Sequence, residues 1–178
     1  DREQKNVKNP KEIWVGRLYL ERIDGAPDLE KYMIATPSQR ADSTGLLTMT
    51  MLQNVVKIMS GIINGLLYLH NKKIAHFNIK PRHVLVAEDD GEMISQVKIT
   101  DFGKSYMDQT ECPMPLGDLT DEYAAPEVCR WFDLNRALTG AATKLRPEPL
   151  TVDKGAKADI WSCGVIFFQL VYGINEHP

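Results

Sequence analysis

Cysteine is scarce in this chain, and its placement excludes two classes of small protein. The 178 residues include 3 cysteines, at Cys112, Cys129 and Cys163, and no two of them form a Cys-x-x-Cys pair. An odd number of dispersed cysteines fits neither a disulfide framework nor a zinc site built from paired cysteines. This usage favours a reducing compartment, and we expect a cytoplasmic protein.

Long basic or apolar runs are also missing. The chain carries 21 Lys and Arg against 24 Asp and Glu, a formal net charge of -3, and its basic residues form no long cluster. A nucleic-acid-binding domain needs a concentrated basic face, so a nucleic-acid partner is not expected. No apolar run is predicted to approach the length of a membrane span, and the first residues lack the pattern of a signal peptide.

The composition that remains is that of an ordinary globular domain, with 43% hydrophobic and 25% charged residues. Residues 1–12 are polar and are predicted to be disordered. The folded part is predicted to begin at residue 13, with a half-buried strand from Ile13 to Ile23. In this segment Leu18 and Leu20 alternate with more polar side chains.

Two helices dominate the expected secondary structure. Apolar residues recur at helical spacing from about Thr50 to His70. A second helix, from Asp159 to Tyr172, is apolar nearly all round, and such a helix is expected to be buried. The mixed segment 130–157 is interpreted as a surface insertion. Short strands are predicted at 73–76, 84–87 and 96–100.

Four short motifs follow one another in a fixed order. They are His-Phe-Asn-Ile-Lys-Pro-Arg-His from His76, Asp-Phe-Gly from Asp101, Ala-Pro-Glu from Ala125, and Asp-Ile-Trp-Ser-Cys-Gly from Asp159. In the same order they resemble the H-R-D-L-K-x-x-N, D-F-G, A-P-E and D-x-W-S-x-G motifs of protein kinases. Because order, separation and the flanking helices agree, we identify a resemblance to the protein kinase superfamily.

The resemblance implies an α+β, protein-kinase-like fold, mainly the α-helical large (C-terminal) lobe with a remnant small-lobe strand. It covers about residues 13–178, from the hinge through the catalytic loop and activation segment to the start of the buried large-lobe helix. A Gly-rich loop, the phosphate-binding strand lysine and its glutamate partner are not recognisable. We therefore interpret residues 13–178 as a partial kinase-like domain.

The catalytic loop departs from the family pattern at three positions. By resemblance Asn78 stands where kinases place the catalytic Asp, and a neutral amide cannot act as a carboxylate base. His83 stands where they place a metal-binding Asn, although magnesium prefers oxygen ligands. Asn78 as a turn cap is the alternative interpretation; a zinc-ligand role for His83 lacks a recognisable metal spacing.

The third departure concerns the activation segment. Phe77 replaces the arginine that would bind a phosphate on that segment. Thr110, Thr120 and Tyr123 lie between the D-F-G and A-P-E motifs, where kinases are often phosphorylated. Without the arginine, a phosphorylation switch is not expected at these residues.

Other positions carry residue types that the family uses at the corresponding places in its motifs. By resemblance Asp101 would bind magnesium and Lys80 would contact phosphate, with a solvated surface lysine as the alternative for Lys80. The adenine site would be formed by the gatekeeper Leu20, by Glu21 and Ile23 of the hinge, and by Leu85 beneath the base. An ordinary edge strand is the alternative for the hinge segment. Structural roles are implied for His76, Phe102, Gly103, Glu127 and Asp159.

The loop sequence Asn78-Ile79-Lys80-Pro81 resembles the serine/threonine branch of the family. The first hypothesis is a pseudokinase, a binding, scaffolding or regulatory module with weak or no phosphoryl transfer. The alternatives are an active ATP-dependent serine/threonine kinase with a diverged loop, and a gene product without function. We expect weak or absent binding of ATP and Mg²⁺, none by the fragment alone, and a protein partner or protein substrate.

Overall fold

A computed structural model of the chain describes residues 25–36, 47–89, 93–107, 121–139 and 150–173. The predicted disorder of residues 1–12 and the strand predicted at 13–23 lie outside this part. The helices are α1 (Leu29–Ala35), α2 (Met49–Asn71), α3 (Pro126–Thr139) and α4 (Val152–Tyr172), and the strands are β1 (Ile74–Ala75), β2 (Val84–Asp89), β3 (Met93–Ile99) and β4 (Tyr106–Met107). Single 3₁₀ turns lie at Pro81–His83, Phe102–Lys104 and Asp121–Tyr123.

The first two helices begin at side-chain caps. Asp28 accepts a hydrogen bond from the Lys31 amide at 2.9 Å, and Thr48 accepts one from the Met51 amide at 3.2 Å. Such caps satisfy backbone donors that lack a partner inside the helix. The helix predicted from about Thr50 to His70 is confirmed as α2, which is one residue longer at each end.

Helix α2 lies directly on the hairpin formed by the antiparallel strands β2 and β3. Gly61 and Gly65 permit this close approach. A Cβ atom at Gly61 would lie 2.5 Å from Val97 Cβ, and one at Gly65 would lie 2.8 Å from Ile99 Cδ1. Buried side chains of α1, α2, β2 and α4 surround this contact and form the main core of the protein. A second antiparallel pair, β1 with β4, lies beside the catalytic-loop motif.

Helix α2 also corrects one expectation from the sequence. Its 23 residues are long and apolar enough, by length and composition, to cross a membrane. Polar residues such as Lys57 and Asn64 interrupt the apolar run, which is why no span was predicted, but the average remains apolar. One such helix is weak support for a membrane span, because the core helix of a soluble protein has the same composition. Here the side of α2 that carries Ile58 and Ile62 is buried in the main core.

Of the segment 130–157 that was interpreted as a surface insertion, residues 130–139 and 152–157 lie in helices, and residues 140–149 lie outside the described part. Helix α3 continues to Thr139, and α4 begins at Val152, seven residues before the predicted start. Thr151 caps α4 by accepting a hydrogen bond from the Lys154 amide at 3.3 Å. The mixed composition concealed these helices, because their apolar residues are few and pack at one side only.

Among the described residues, the expected burial of α4 is found on one side of the helix only. Val165, Ile166 and Leu170 are buried in the main core. On the opposite side, Ile160, Trp161 and Phe167 are each about half exposed, at 52%, 49% and 49%. The described residues therefore cover one side of α4 and leave an apolar side uncovered.

A smaller group of buried residues, the minor core, consists of Ala125, Val128, Leu150 and Ala158. Phe77, Trp131 and Phe132 pack against it. Phe77 also lies directly on α4 at Gly155. A Cβ atom at Gly155 would lie 2.5 Å from Phe77 Cε2 and 2.6 Å from Ala75 Cβ. The missing side chain of this glycine thus admits the Phe77 ring.

Substitutions at two glycines of α4 test this contact. Gly164→Ala should stabilise the protein by up to about 1 kcal/mol, because alanine favours helix and no atom lies within 4 Å of the added methyl group. Gly155→Ala should destabilise it by about 1–3 kcal/mol, because the methyl group overpacks the site. Urea unfolding of the complete protein measures both values. Equal stabilisation by the two substitutions would contradict the Phe77 packing.

Candidate functional site

The catalytic-loop segment, residues 76–83, is fixed to α4 by the carboxylate of Asp159, which is 1% exposed. Asp159 Oδ2 accepts the His76 amide at 2.9 Å, and Oδ1 accepts the Phe77 amide at 2.8 Å. Oδ2 also lies 2.9 Å from Nε2 of His70 in the last turn of α2. One buried carboxylate therefore joins α2, α4 and the loop.

These bonds hold an uncommon backbone conformation. Phe77 has φ 59°, in the left-handed backbone region that residues other than glycine seldom adopt. The amide bond to Asp159 and the packing of the ring on the minor core both act on this residue. The chain consequently bends at Phe77, directly before Asn78.

The His76 ring is buried and bonded at both nitrogens. Its Nε2 lies 3.1 Å from the Thr100 carbonyl, and its Nδ1 accepts the Asn78 amide at 3.3 Å. This pattern fits a neutral ring with the proton on Nε2. Burial lowers the pKa of His76, against a smaller opposing effect of the Asp159 charge. The ring meets Phe102 edge-on, with centroids 5.2 Å apart.

His83 and Asp101, the two residues predicted at the metal position, contact each other directly. His83 Nε2 lies 2.9 Å from Asp101 Oδ2, and His83 Nδ1 lies 2.8 Å from the Asn78 carbonyl. Asp101 has a left-handed backbone with φ 61°, and its Oδ1 accepts the Gly103 amide at 3.2 Å. Each carboxylate oxygen of Asp101 thus has a partner within the chain.

These residues do not fit the magnesium arrangement that the resemblance implies. Magnesium takes oxygen ligands in near-octahedral geometry, whereas His83 offers a nitrogen that is already bonded to Asp101. Across the described ranges, no group of three or more His, Cys, Asp or Glu side chains could hold a metal ion.

Some of the remaining predicted site residues lie in the described part of the chain and others lie outside it. Lys80 is half-buried before the 3₁₀ turn, and Leu85 is half-buried on β2. Glu127 is exposed in the first turn of α3. Leu20, Glu21 and Ile23 of the predicted hinge lie outside the described residues, as do Thr110 and Thr120.

Tyr123 is not available for phosphorylation in this conformation. It is 8% exposed, and its hydroxyl donates to Gln169 Oε1 at 2.9 Å. Its carbonyl accepts the Ser162 hydroxyl at 2.7 Å. Burial raises the pKa of the Tyr123 phenol, against the opposing bond to Gln169. These contacts fix the segment before α3 onto α4.

Sequence reasoning missed two residues at the site. His70 contacts Asp159 across a separation of 89 residues, and no sequence pattern connects them. Arg82 is ion-paired through Nε to Glu30 at 2.6 Å, which ties the loop to α1. Because Arg82 is next to His83, the sequence could have indicated that Arg82 lies at the site. Its partner Glu30 in α1 can be identified only from the fold.

Removal of the Asp159 carboxylate should destabilise the protein strongly. Asp159→Ala leaves the buried amides of His76 and Phe77 without an acceptor, and each such loss costs about 1–3 kcal/mol. We expect a total loss of about 2–5 kcal/mol in the free energy of unfolding, measured with urea. Asp133→Ala, an exposed acid of α3, is the matched control and should change it by less than about 0.5 kcal/mol. Similar losses for both would refute the anchoring role.

The buried His76 ring predicts a loss of stability in mild acid. In the unfolded chain the ring ionises near its usual value of 6.5, and in the folded protein its pKa is lower. Between these values the unfolded state binds more protons, so this contribution is present above about pH 6.5 and is lost as the pH falls towards the lowered pKa. One group changes the free energy by up to about 1.4 kcal/mol per pH unit. Unfolding midpoints of the parent protein and His76→Asn between pH 7.5 and 5 measure it; identical slopes would exclude His76 as the cause.

Comparisons with known proteins show similarity to protein kinases. The chain is 32% identical over 125 residues to death-associated protein kinase 2 of Homo sapiens, covering 69% of this chain and 28% of that protein. It is 31% identical over 123 residues to the serine/threonine-protein kinase KSP1 of Saccharomyces cerevisiae, covering 69% and 10%. The serine/threonine-protein kinase tousled-like 1 of Mus musculus is 36% identical over 124 residues, covering 65% and 14%. The chain therefore spans 10% to 28% of the length of these relatives.

A solved structure and a family profile extend the comparison. The crystal structure of the Rad53 kinase domain and SCD2 is similar in fold, with a TM-score of 0.51 at 22% identity, covering 85% of this chain and 38% of that one. The likeness confirms the predicted kinase-like fold. The sequence profile of the protein kinase domain matches residues 29–178. By the extent of that match, the chain belongs to the protein kinase domain family.

Proposed function

We propose that the chain is the kinase-like part of a pseudokinase, which binds or scaffolds protein partners with weak or no phosphoryl transfer. The observation that carries this proposal is Asn78. The loop around it is held on α4 by Asp159 as a rigid element, yet the position that needs a carboxylate base carries a neutral amide. The backbone position is therefore held in place, while the carboxylate that the reaction needs is absent.

No nearby carboxylate replaces the missing base in the described part of the chain. Asp159 is buried and bonded to two backbone amides and His70. Asp101 has His83 on one oxygen and the Gly103 amide on the other. General-base assistance is worth about 10²–10⁴-fold in rate, or roughly 3–5 kcal/mol of barrier. A loss of this size is enough to leave transfer near background.

The nucleotide is expected to bind weakly in the complete domain. The predicted adenine contacts are Leu20, Glu21, Ile23 and Leu85, and Lys80 would contact phosphate. A chain that binds nucleotide without efficient transfer can still present a folded surface to a protein partner. We propose such a partner in a reducing compartment such as the cytoplasm.

An active serine/threonine kinase is the second candidate. It is favoured by the retained Asp101 and Lys80, and by relatives that are named serine/threonine kinases. In that case the diverged loop would use a different proton acceptor for the substrate hydroxyl.

Restoring the family residues separates the two candidates. Asn78→Asp alone should raise phosphoryl transfer little, because His83 still occupies the metal position. Asn78→Asp with His83→Asn should exceed either single change by about tenfold or more, provided that the complete domain carries the strand lysine. Initial rates with ATP, Mg²⁺ and a generic serine/threonine peptide measure the four forms.

The control for added negative charge is Asn64→Asp, at an exposed position in α2. It should leave the rate at the level of the parent protein. A double variant no faster than the single variants would remove the support that Asn78 and His83 give to the proposal.

A further inference from the structure

The His83 ring is fixed in place from several directions. Its Nδ1 contacts the Asn78 carbonyl at 2.8 Å and its Nε2 contacts Asp101 at 2.9 Å, so each nitrogen has an oxygen partner. The backbone carbonyl of His83 accepts the Thr100 amide at 2.9 Å. The side chain is only 12% exposed. His83 is therefore an integral part of the loop, and moving its ring would break both side-chain contacts.

Both oxygens of the half-exposed Asp101 carboxylate already have a partner within the chain. Oδ2 faces the His83 ring, and Oδ1 accepts the Gly103 amide at 3.2 Å within its own turn. Magnesium binds oxygen at about 2.0–2.1 Å and completes an octahedron with waters. A cation at that distance from Oδ2 would compete with Nε2 for the same oxygen.

The contact is a hydrogen-bonded pair and not half of another metal site. Two ligands of one tetrahedral zinc ion, each at about 2.0–2.1 Å, lie roughly 3.3 Å apart. The 2.9 Å separation of Nε2 and Oδ2 is that of a charge-assisted hydrogen bond. In the described ranges no third His, Cys, Asp or Glu completes a metal-binding group with them.

We propose that the His83 ring closes the cation position at Asp101, so that the cleft takes its nucleotide without a divalent cation. This rests on the proposed function in one respect only, that the cleft is a nucleotide site. In place of the cation, His83 binds Asp101 directly and fixes the D-F-G turn to the catalytic loop. His83 is thus a positioning residue that excludes metal from the site.

Direct cation binding tests this without reference to catalysis. Free and bound Mn²⁺ alone would be measured by electron paramagnetic resonance on the full-length protein at one fixed pH. We expect the parent protein to bind no more Mn²⁺ than its Asp101→Asn variant. His83→Asn should gain at least about tenfold in affinity, and His83→Asn with Asp101→Asn should lose that gain. Lys57→Asn, which removes an exposed positive charge on α2, should gain nothing.

A second measurement uses the unmodified protein and does not depend on the folding of a variant. The affinity for ADP, by calorimetry with and without Mg²⁺, should agree within about twofold. An affinity at least tenfold higher with Mg²⁺, or Mn²⁺ binding by the parent protein that Asp101→Asn abolishes, would overturn the proposal. So would a His83→Asn variant that folds and gains no affinity for Mn²⁺.

These outcomes are separate from that of the proposed function. Metal binding at Asp101 with transfer at background would refute cation exclusion and leave the pseudokinase intact. Efficient transfer would refute the pseudokinase whichever way Mn²⁺ binds. If ADP binds in neither condition, the Mn²⁺ comparison of the parent and His83→Asn alone decides the proposal.

Discussion

The buried carboxylate of Asp159 is the interaction on which the site depends. It accepts the amides of His76 and Phe77 and contacts His70, so α2, α4 and the loop meet at one side chain. With the loop fixed there, the His76 ring reaches the Thr100 carbonyl, and the backbone of Asn78 is fixed as well. The backbone geometry of the loop is thus set by buried contacts with α2 and α4.

Within this loop, two side chains besides Asn78 depart from the family motif by resemblance. Phe77 replaces a charged contact to the activation segment with apolar packing on the minor core and Gly155. His83 replaces an oxygen ligand with a ring that binds Asp101 directly. Both substitutions add internal contacts where an active kinase would use phosphate or metal. Both side chains therefore make internal contacts that help to hold the loop.

The sequence was sufficient for the kinase-like fold, because ordered motifs and the periodicity of α2 report directly on local structure. It was insufficient where packing decides. The mixed residues of α3 and the start of α4 form helices because one side packs on the minor core. The contact of His83 with Asp101 joins residues on separate turns, and no sequence pattern connects them.

The central claim is that a well-positioned catalytic loop has lost its chemistry. The most direct test is the single-turnover rate of phosphoryl transfer by the unmodified full-length protein to a serine/threonine peptide mixture, with saturating ATP and Mg²⁺. The account predicts a rate at or near that of a sample without protein. Turnover on the order of 1 s⁻¹, as in ordinary kinases, would contradict it.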